Sequence, residues 1–170
     1  NIVKNNKKKV KIINASTGGA IYGDNINASR EGSRKFPISY YGLTKKFNED
    51  ISNVFFKLYK IETVNLRFSN VYGEYSLHKK SFIHNCIKNI LLNKKIVIFG
   101  DGKQTRDFIY VQDLVRLIYK SFKLKHGSYN IASGKSFSVN QILNIVKNIN
   151  SNLKYNYEKK NLTEVKDVKI

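Results

Sequence analysis

Cysteine is nearly absent from this 170-residue chain, with Cys86 its sole example. That excludes an internal disulfide framework and a cysteine-rich metal site, and it suits the reducing interior of a cytoplasmic protein. Long apolar runs are missing too. None approaches the roughly 20 residues a membrane helix needs, so a soluble protein with no membrane partner is expected. The basic start, Asn1 to Lys11, leads into a strand-like VKIIN rather than the apolar core of a signal peptide. Acidic residues are scarce: 12 Asp and Glu stand against 31 Lys and Arg, a formal charge of +19. Such an imbalance usually points to nucleic acid or an acidic membrane surface. Here 26 of the cations are lysines spread along the chain, with one triple at Lys7 to Lys9. Lys, Asn and Ile, the residues with the A/T-richest codons, supply 67 of the 170 positions. The charge therefore reads as codon bias, with no nucleic-acid partner expected. His78, His84 and His126 lack metal-ligand spacing, so no metal is expected. A Gly-rich dinucleotide fingerprint is missing as well, since no third glycine follows Gly100-x-Gly102 at the required position.

What is present is a globular composition, 41% hydrophobic and 25% charged, with enough chain for one ordinary core. Strand and helix patterns alternate, which predicts an α/β protein. Val10 to Asn14 reads as a short strand ending at a Ser-Thr-Gly-Gly loop. A helix is predicted from near Tyr41 to about Tyr59, with an apolar stripe of Leu43, Phe47, Ile51, Val54 and Leu58. Thr63 to Phe68 is the next strand. Ser81 to Leu92 follows as a helix, and Ile96 to Phe99 as a strand stopped by a Gly-Asp-Gly turn. Phe108 to Val111 reads as a strand, then a helix capped by Asp113 and running to Phe122. Ser138 to Ile149 carries a capping box, Ser138 with Gln141, and a stripe of Val139, Ile142, Leu143, Val146 and Ile149. Lys154 to Ile170 reads as one strand and a tail.

Tyr41 and Lys45 stand four apart on one helix face. An ammonium beside a phenol favours the phenolate and draws its pKa from about 10 toward neutrality, which suits proton exchange with a sugar hydroxyl. Taken alone the pair reads as readily as an ordinary surface contact in a chain this rich in both residues. Its neighbourhood is more specific. NASTGGAIYGD, SYYGLTK, LRFSNVYGE, FGDGKQTRDFIYVQDLV and YNIASGKSFSVNQIL occur in that order between Val10 and about Ile149.

Together these segments resemble the extended short-chain dehydrogenase/reductase family, in particular its NAD-dependent nucleotide-sugar epimerases. The resemblance implies an NAD-binding Rossmann-like α/β fold, here its C-terminal part, plus a small mixed α/β substrate domain. Residues 1–70 would be the tail of the dinucleotide-binding domain. Residues 71–170 would be mostly the nucleotide-sugar domain, with about 108–122 returning to the first. It implies that Tyr41 is the acid/base and that Lys45 holds the nicotinamide ribose and tunes Tyr41. Phe68 would lie against the nicotinamide or serve simply as strand-end core. Asn70 and Arg106 would hold the substrate diphosphate, an arginine fork suiting phosphate oxygens. Val97 and Phe99 would flank the nucleotide base, or only pack their strand. The implied reaction is transient oxidation at C4 of a UDP-hexose with NAD as cofactor, followed by re-reduction on the other face. A homodimer built on the Tyr41 helix is also implied, although its apolar stripe serves equally as core.

One position departs from the family pattern. The hydroxyl residue four before Tyr22 is Gly18, so that role falls to Thr17 or Ser16, with either also able to satisfy its own loop backbone. Related dehydratases and decarboxylases carry an acid directly after that hydroxyl. Gly19 and Ala20 stand there instead, which favours epimerisation over a dehydratase or reductase of the same family. The missing glycine fingerprint leads to the expectation of roughly the second half of an epimerase, inactive alone, or else a non-catalytic truncated piece.

Overall fold

A computed structural model of the chain describes residues 10–24, 28–75, 81–151 and 153–159. His78, the Lys7 to Lys9 triple and the tail after Lys159 lie outside them.

The first strand, β1 (Lys11–Thr17), pairs in parallel with β2 (Glu62–Phe68), in register from Lys11 opposite Glu62 to Thr17 opposite Phe68. The expected strand end at Asn14 is thus three residues early. The ladder to β2 holds Ser16 and Thr17 extended, and Gly18–Ile21 forms a four-residue helical turn, α1, in place of a loop. Gly23, after Tyr22, has a φ of +78° and lies against the Phe36 carbonyl, where a Cβ would stand 2.3 Å from the oxygen. Glycine is required there both for the left-handed backbone and for the close approach.

Helix α2 (Tyr40–Tyr59) begins where the sequence predicts: the Ser39 hydroxyl accepts from the Gly42 amide at 3.1 Å. It ends at Lys60 in the left-handed conformation, whose amide donates to the Phe56 carbonyl at 3.0 Å. Its expected apolar stripe does not form core. Leu43, Phe47, Ile51, Val54 and Leu58 are all exposed, Phe47 by 63%, whereas Gly42, Glu49 and Ser52 are buried. The reason lies in the sheet face beneath, which is polar.

Three strands escape the sequence reading: β3 (Asn70–Tyr72), β6 (Gly127–Ile131) and β7 (Ser136–Ser138). They are short and rich in Asn, Ser, Gly and Tyr, so no alternating apolar pattern marks them. β6 completes the first parallel sheet beside β2. Helix α3 (Phe82–Leu91) and strand β4 (Ile96–Phe99) match expectation. β5 (Thr105–Tyr110) begins three residues before the expected Phe108, because Thr105–Asp107 pairs antiparallel with β7 while its far end pairs in parallel with β3. Helix α4 (Val111–Ser121) starts at Tyr110 as cap, so Asp113 sits in the first turn rather than capping. Its charge is still favourable there.

Helix α5 (Val139–Ile149) has the full reciprocal capping box of Ser138 and Gln141. Val139 and Leu143 are buried, but Ile149 is 82% exposed and outside the stripe expected of it. Strand β8 (Tyr155–Glu158) pairs in parallel with β4. Two apolar clusters result. Val64, Leu66 and Ile131 pack with Ile109 and Leu114 on one side of the first sheet. Cys86, Ile96, Ile98, Val139 and Leu143 form the second, where burial pushes the Cys86 thiol up to about 12. Cys86 is therefore a packing residue at neutral pH. No helix among the described residues is long and apolar enough to cross a membrane, and no group of three His, Cys, Asp or Glu among them is placed to hold a metal.

Candidate active site

The carboxyl end of β1 lies beside the first turns of α2, and among the predicted reacting residues Lys45 joins the two. Lys45 donates from Nζ to the Ala15 carbonyl at 2.9 Å, which ties the helix to the strand residue two before Thr17. The same ammonium sits 5.7 Å from the centroid of the Tyr41 ring. Tyr41 is half exposed, with its ring open to an incoming ligand. Gly42 presses on the Ala20 carbonyl so closely that a Cβ would stand 2.4 Å from its oxygen, which explains the glycine beside Tyr41. Thr17 is buried and directly opposite Phe68 in the ladder. Phe68 is half-buried against the first apolar cluster, so it has a packing role whatever else it touches.

Ser16 and Thr17, which the sequence leaves equivalent, differ because successive strand residues face opposite ways. The Ser16 hydroxyl donates to Glu49 Oε1 at 2.6 Å and is buried. Among the described residues no hydrogen bond engages the Thr17 side chain. Just beyond Phe68, the Ser69 hydroxyl is a buried polar atom without a partner among the described residues. A donor left unmatched beside Phe68 suits a polar ligand, and an unpartnered buried hydroxyl otherwise costs about 1–3 kcal/mol.

Beneath α2 lies a polar lattice that the sequence analysis missed. Asn14, Asn65 and Ser128 are aligned across β1, β2 and β6, as are Ser16, Arg67 and Asn130 in the next rung. Asn14 Nδ2 donates to Asn65 Oδ1 at 2.8 Å, and Asn65 Nδ2 to Ser128 Oγ at 3.2 Å. Arg67 forks onto Glu49, Nε to Oε1 at 2.9 Å and Nη2 to Oε2 at 2.7 Å. Its Nη1 donates to the Tyr22 hydroxyl at 2.6 Å and to the Glu31 carbonyl at 2.9 Å. Tyr22 in turn donates to Asn130 at 2.7 Å.

Burial alone would raise the Glu49 carboxyl. The hydrogen bonds from Arg67 and Ser16 and the nearby positive charges outweigh it and hold Glu49 below its ordinary range. Burial likewise opposes the charge on Arg67, and the bonds to Glu49 restore it, leaving it above its usual value. The signal was present in the sequence: Thr63, Asn65 and Arg67 alternate with Val64, Leu66 and Phe68 in a strand flanked on both edges. Such a strand is buried on both faces, so its polar residues need partners.

The four residues expected to meet a nucleotide lie together, and the first of them, Asn70, follows Phe68 by two residues. Asn70, Val97, Phe99 and Arg106 all line one cavity of about 290 Å³, closed by Phe82 of α3 and Phe108 of β5. Tyr41, Lys45 and Thr17 are not part of its lining. Asn70 is oriented by donating to the Asp107 carbonyl at 3.0 Å. Asp107 is fully buried and accepts from the amide and hydroxyl of Ser133 at 2.9 and 3.1 Å, so the carboxylate adjoining Arg106 is satisfied elsewhere. Gln104 donates to the Phe99 carbonyl at 3.0 Å and holds that end of β4. A half-apolar cavity with one guanidinium and a few amides suits a flat ring joined to an anionic group.

Comparison with known proteins bears on the family and the fold. The family model described as NAD dependent epimerase/dehydratase family matches residues 2–132. The UDP-glucose 4-epimerase of Thermotoga maritima, solved with UDP-glucose, superposes with a TM-score of 0.88 at 30% identity, over 94% of this chain and 54% of that one. The UDP-N-acetylglucosamine 4-epimerase of Methanobrevibacter ruminantium, solved with UDP-N-acetylmuramic acid, gives 0.88 at 32% identity, over 97% and 55%. The UDP-glucuronic acid 4-epimerase of Bacillus cereus, solved with UDP-glucuronic acid and NAD, gives 0.87 at 31% identity, over 98% and 54%. The chain spans less than half the length of the first curated relatives it matches, 46%, 42% and 43%. Its fold is that of part of these Rossmann-like α/β proteins.

Proposed function

The chain belongs to the NAD-dependent epimerase/dehydratase family, and from that premise we propose that it carries the proton-transfer group and sugar-nucleotide cavity of a UDP-hexose 4-epimerase. The observation that supports this most is the convergence of two sets of residues. Lys45 ties the Tyr41 helix to Ala15 of β1, Thr17 pairs with Phe68 at the ends of β1 and β2, and Asn70, two residues past Phe68, lines the cavity with Arg106. We take residues up to about 70 as the cofactor side of the site and most of the remainder as the substrate side.

NAD, when bound, supplies the redox couple for C4. Tyr41, Lys45 and Phe68, with the unpartnered hydroxyl of Ser69, are the residues of this chain that would meet it. In this reading Tyr41 takes the proton of the C4 hydroxyl as the 4-keto sugar forms and returns it afterwards. Lys45, already anchored on the Ala15 carbonyl, keeps a positive charge beside that phenol. Thr17 rather than Ser16 donates to the sugar oxygen, because Ser16 is spent on Glu49. Gly19 and Ala20 offer no second acid, so the proton goes back to where it came from and no water is eliminated. Arg106 and Asn70 hold the diphosphate and fix the nucleotide end while the sugar turns.

Two measurements check this reading. Titration with UDP should show binding that weakens about 10- to 100-fold in Arg106→Ala, the loss of one charge-assisted contact. Equal affinity in the variant would remove Arg106 from the diphosphate site. The exposed stripe of α2 suggests self-association through that helix, since Leu43, Phe47, Val54 and Leu58 form an apolar surface on one element. Sedimentation should give a dimer that Phe47→Lys converts to monomer. A monomeric wild type at tens of micromolar would dismiss the dimer.

A further inference from the structure

Helix α2 meets the β1–α1 segment at three places, each next to a residue of the reacting group. Gly42, adjoining Tyr41, rests on the Ala20 carbonyl. One turn later Lys45 bonds the Ala15 carbonyl at 2.9 Å. One turn later again Glu49 takes the Ser16 hydroxyl at 2.6 Å, and Ser16 immediately precedes Thr17. The spacing 42, 45, 49 keeps all three on one face. The buried residues of that face, Gly42, Glu49 and Ser52, are small or polar, and its large apolar side chain, Phe56, lies two turns beyond Glu49, stacked on His126.

Apolar contact is non-directional and leaves a helix free to roll or slide by a few tenths of an ångström at little cost, whereas hydrogen bonds fix both distance and direction. Glu49 is the member of the three with fixed partners on every side. Arg67 forks onto it from β2, Ser128 donates to it from β6 at 3.3 Å, and Lys35 reaches it from the preceding loop at 3.3 Å. Its side chain is fully buried, and its charge is matched by Arg67.

We propose that Glu49 is a positioning residue: by gripping Ser16 from a point locked to β2 and β6, it sets the height and rotation of α2 over β1. It thereby sets the separation of Tyr41 and Lys45 from Thr17. What those three groups do rests on the epimerase reading, but the placement itself does not. Two turns of helix separate Glu49 from Tyr41, so it touches no substrate and acts through Lys45 and Ser16.

The test is competitive acylation of the lysines in the full chain, read by peptide fragmentation as the ratio of labelling at Lys45 to Lys57. Lys57 is exposed in the last turn of the same helix and reports general accessibility. Glu49→Gln keeps shape and loses the charge that Arg67 and Ser16 hold. It should raise the ratio about threefold or more, as Lys45 leaves the Ala15 carbonyl. The labelling is done where circular dichroism shows the variant folded, and a folded variant with an unchanged ratio overturns the proposal. Should Glu49→Gln fail to fold, Ser16→Ala cuts only the grip on β1 and leaves the ion pair. It should move the ratio the same way, and no movement would again overturn the proposal. With the chain joined to the Gly-rich cofactor-binding part of a related epimerase and loaded with NAD, Glu49→Gln should lower kcat about tenfold or more with the sugar-nucleotide KM little changed. An inactive wild-type fusion would refute the epimerase reading and leave the Lys45 ratio to decide the role of Glu49.

Discussion

Arg67→Met should destabilise the protein by about 3–5 kcal/mol, the range for removing one partner of a buried ion pair. Arg67 is 2% exposed and Glu49 is 0%, so the variant leaves a carboxylate in the interior with its bidentate partner gone. Lys35 is a poor substitute, being partly solvated and reaching one oxygen at 3.3 Å. The Tyr22 hydroxyl and the Glu31 carbonyl lose a donor in the same stroke. Urea denaturation measures the loss directly, and the melting temperature should fall by about 10 °C. The double variant Glu49→Leu, Arg67→Met removes both charges and fills the space with apolar atoms. It should recover a large part of the loss, because ion pairs of this kind gain little over a packed apolar pair. A single variant costing less than about 1 kcal/mol would mean that Arg67 is not the partner on which the buried carboxylate depends.

The same lattice shows what was and was not legible in the sequence. Helix α5 was legible almost to the residue because its signal is local: Ser138 and Gln141 bond to each other's backbone within one turn. The 96–99 strand was legible for the same reason, with a glycine turn fixing its end. Helix α2 was legible in extent and misleading in orientation. Its apolar period is real, yet the face it turns to the sheet is decided by Asn14, Ser16, Asn65, Arg67, Ser128 and Asn130, which come from three distant strands. No window of one helix contains that information. Ser16 and Thr17 could not be separated until the ladder to β2 extended the strand through them and turned Ser16 toward Glu49. The cavity residues Asn70, Val97, Phe99 and Arg106 were found by resemblance to a motif set, not by periodicity. The lone Asn-rich strands β3 and β6 had no local signature at all.

Tyr41→Phe should reduce turnover by about 10²- to 10⁴-fold, the usual contribution of a positioned acid/base group, with the KM for the sugar nucleotide nearly unchanged. The substitution is a clean one because the phenyl ring keeps what the structure shows the tyrosine doing. The contact with Lys45 is to the ring at 5.7 Å, and the hydroxyl lies on a half-exposed side chain, so stability should move by no more than about 0.5 kcal/mol. Thr17→Val removes a hydroxyl of similar shape from a buried position and should cost only about tenfold, the worth of one neutral hydrogen bond in the transition state. Ser16→Val belongs to a different class: it strips a donor from the buried Glu49 carboxylate, so it should lower stability and, by loosening α2 over β1, slow turnover no more than Glu49→Gln does. Initial rates of UDP-sugar interconversion with NAD, measured on the chain joined to the Gly-rich cofactor-binding part of a related epimerase and set beside the urea midpoints of the same three variants, separate these outcomes. A Tyr41→Phe enzyme that keeps a tenth or more of wild-type kcat would exclude Tyr41 as the proton acceptor. A Ser16→Val enzyme slowed more than both Thr17→Val and Glu49→Gln at equal stability would return the hydroxyl role to Ser16. The ordering rests on Ser16 being held by the buried Glu49, while Thr17, its neighbour on the opposite face of β1, has no side-chain hydrogen bond among the described residues.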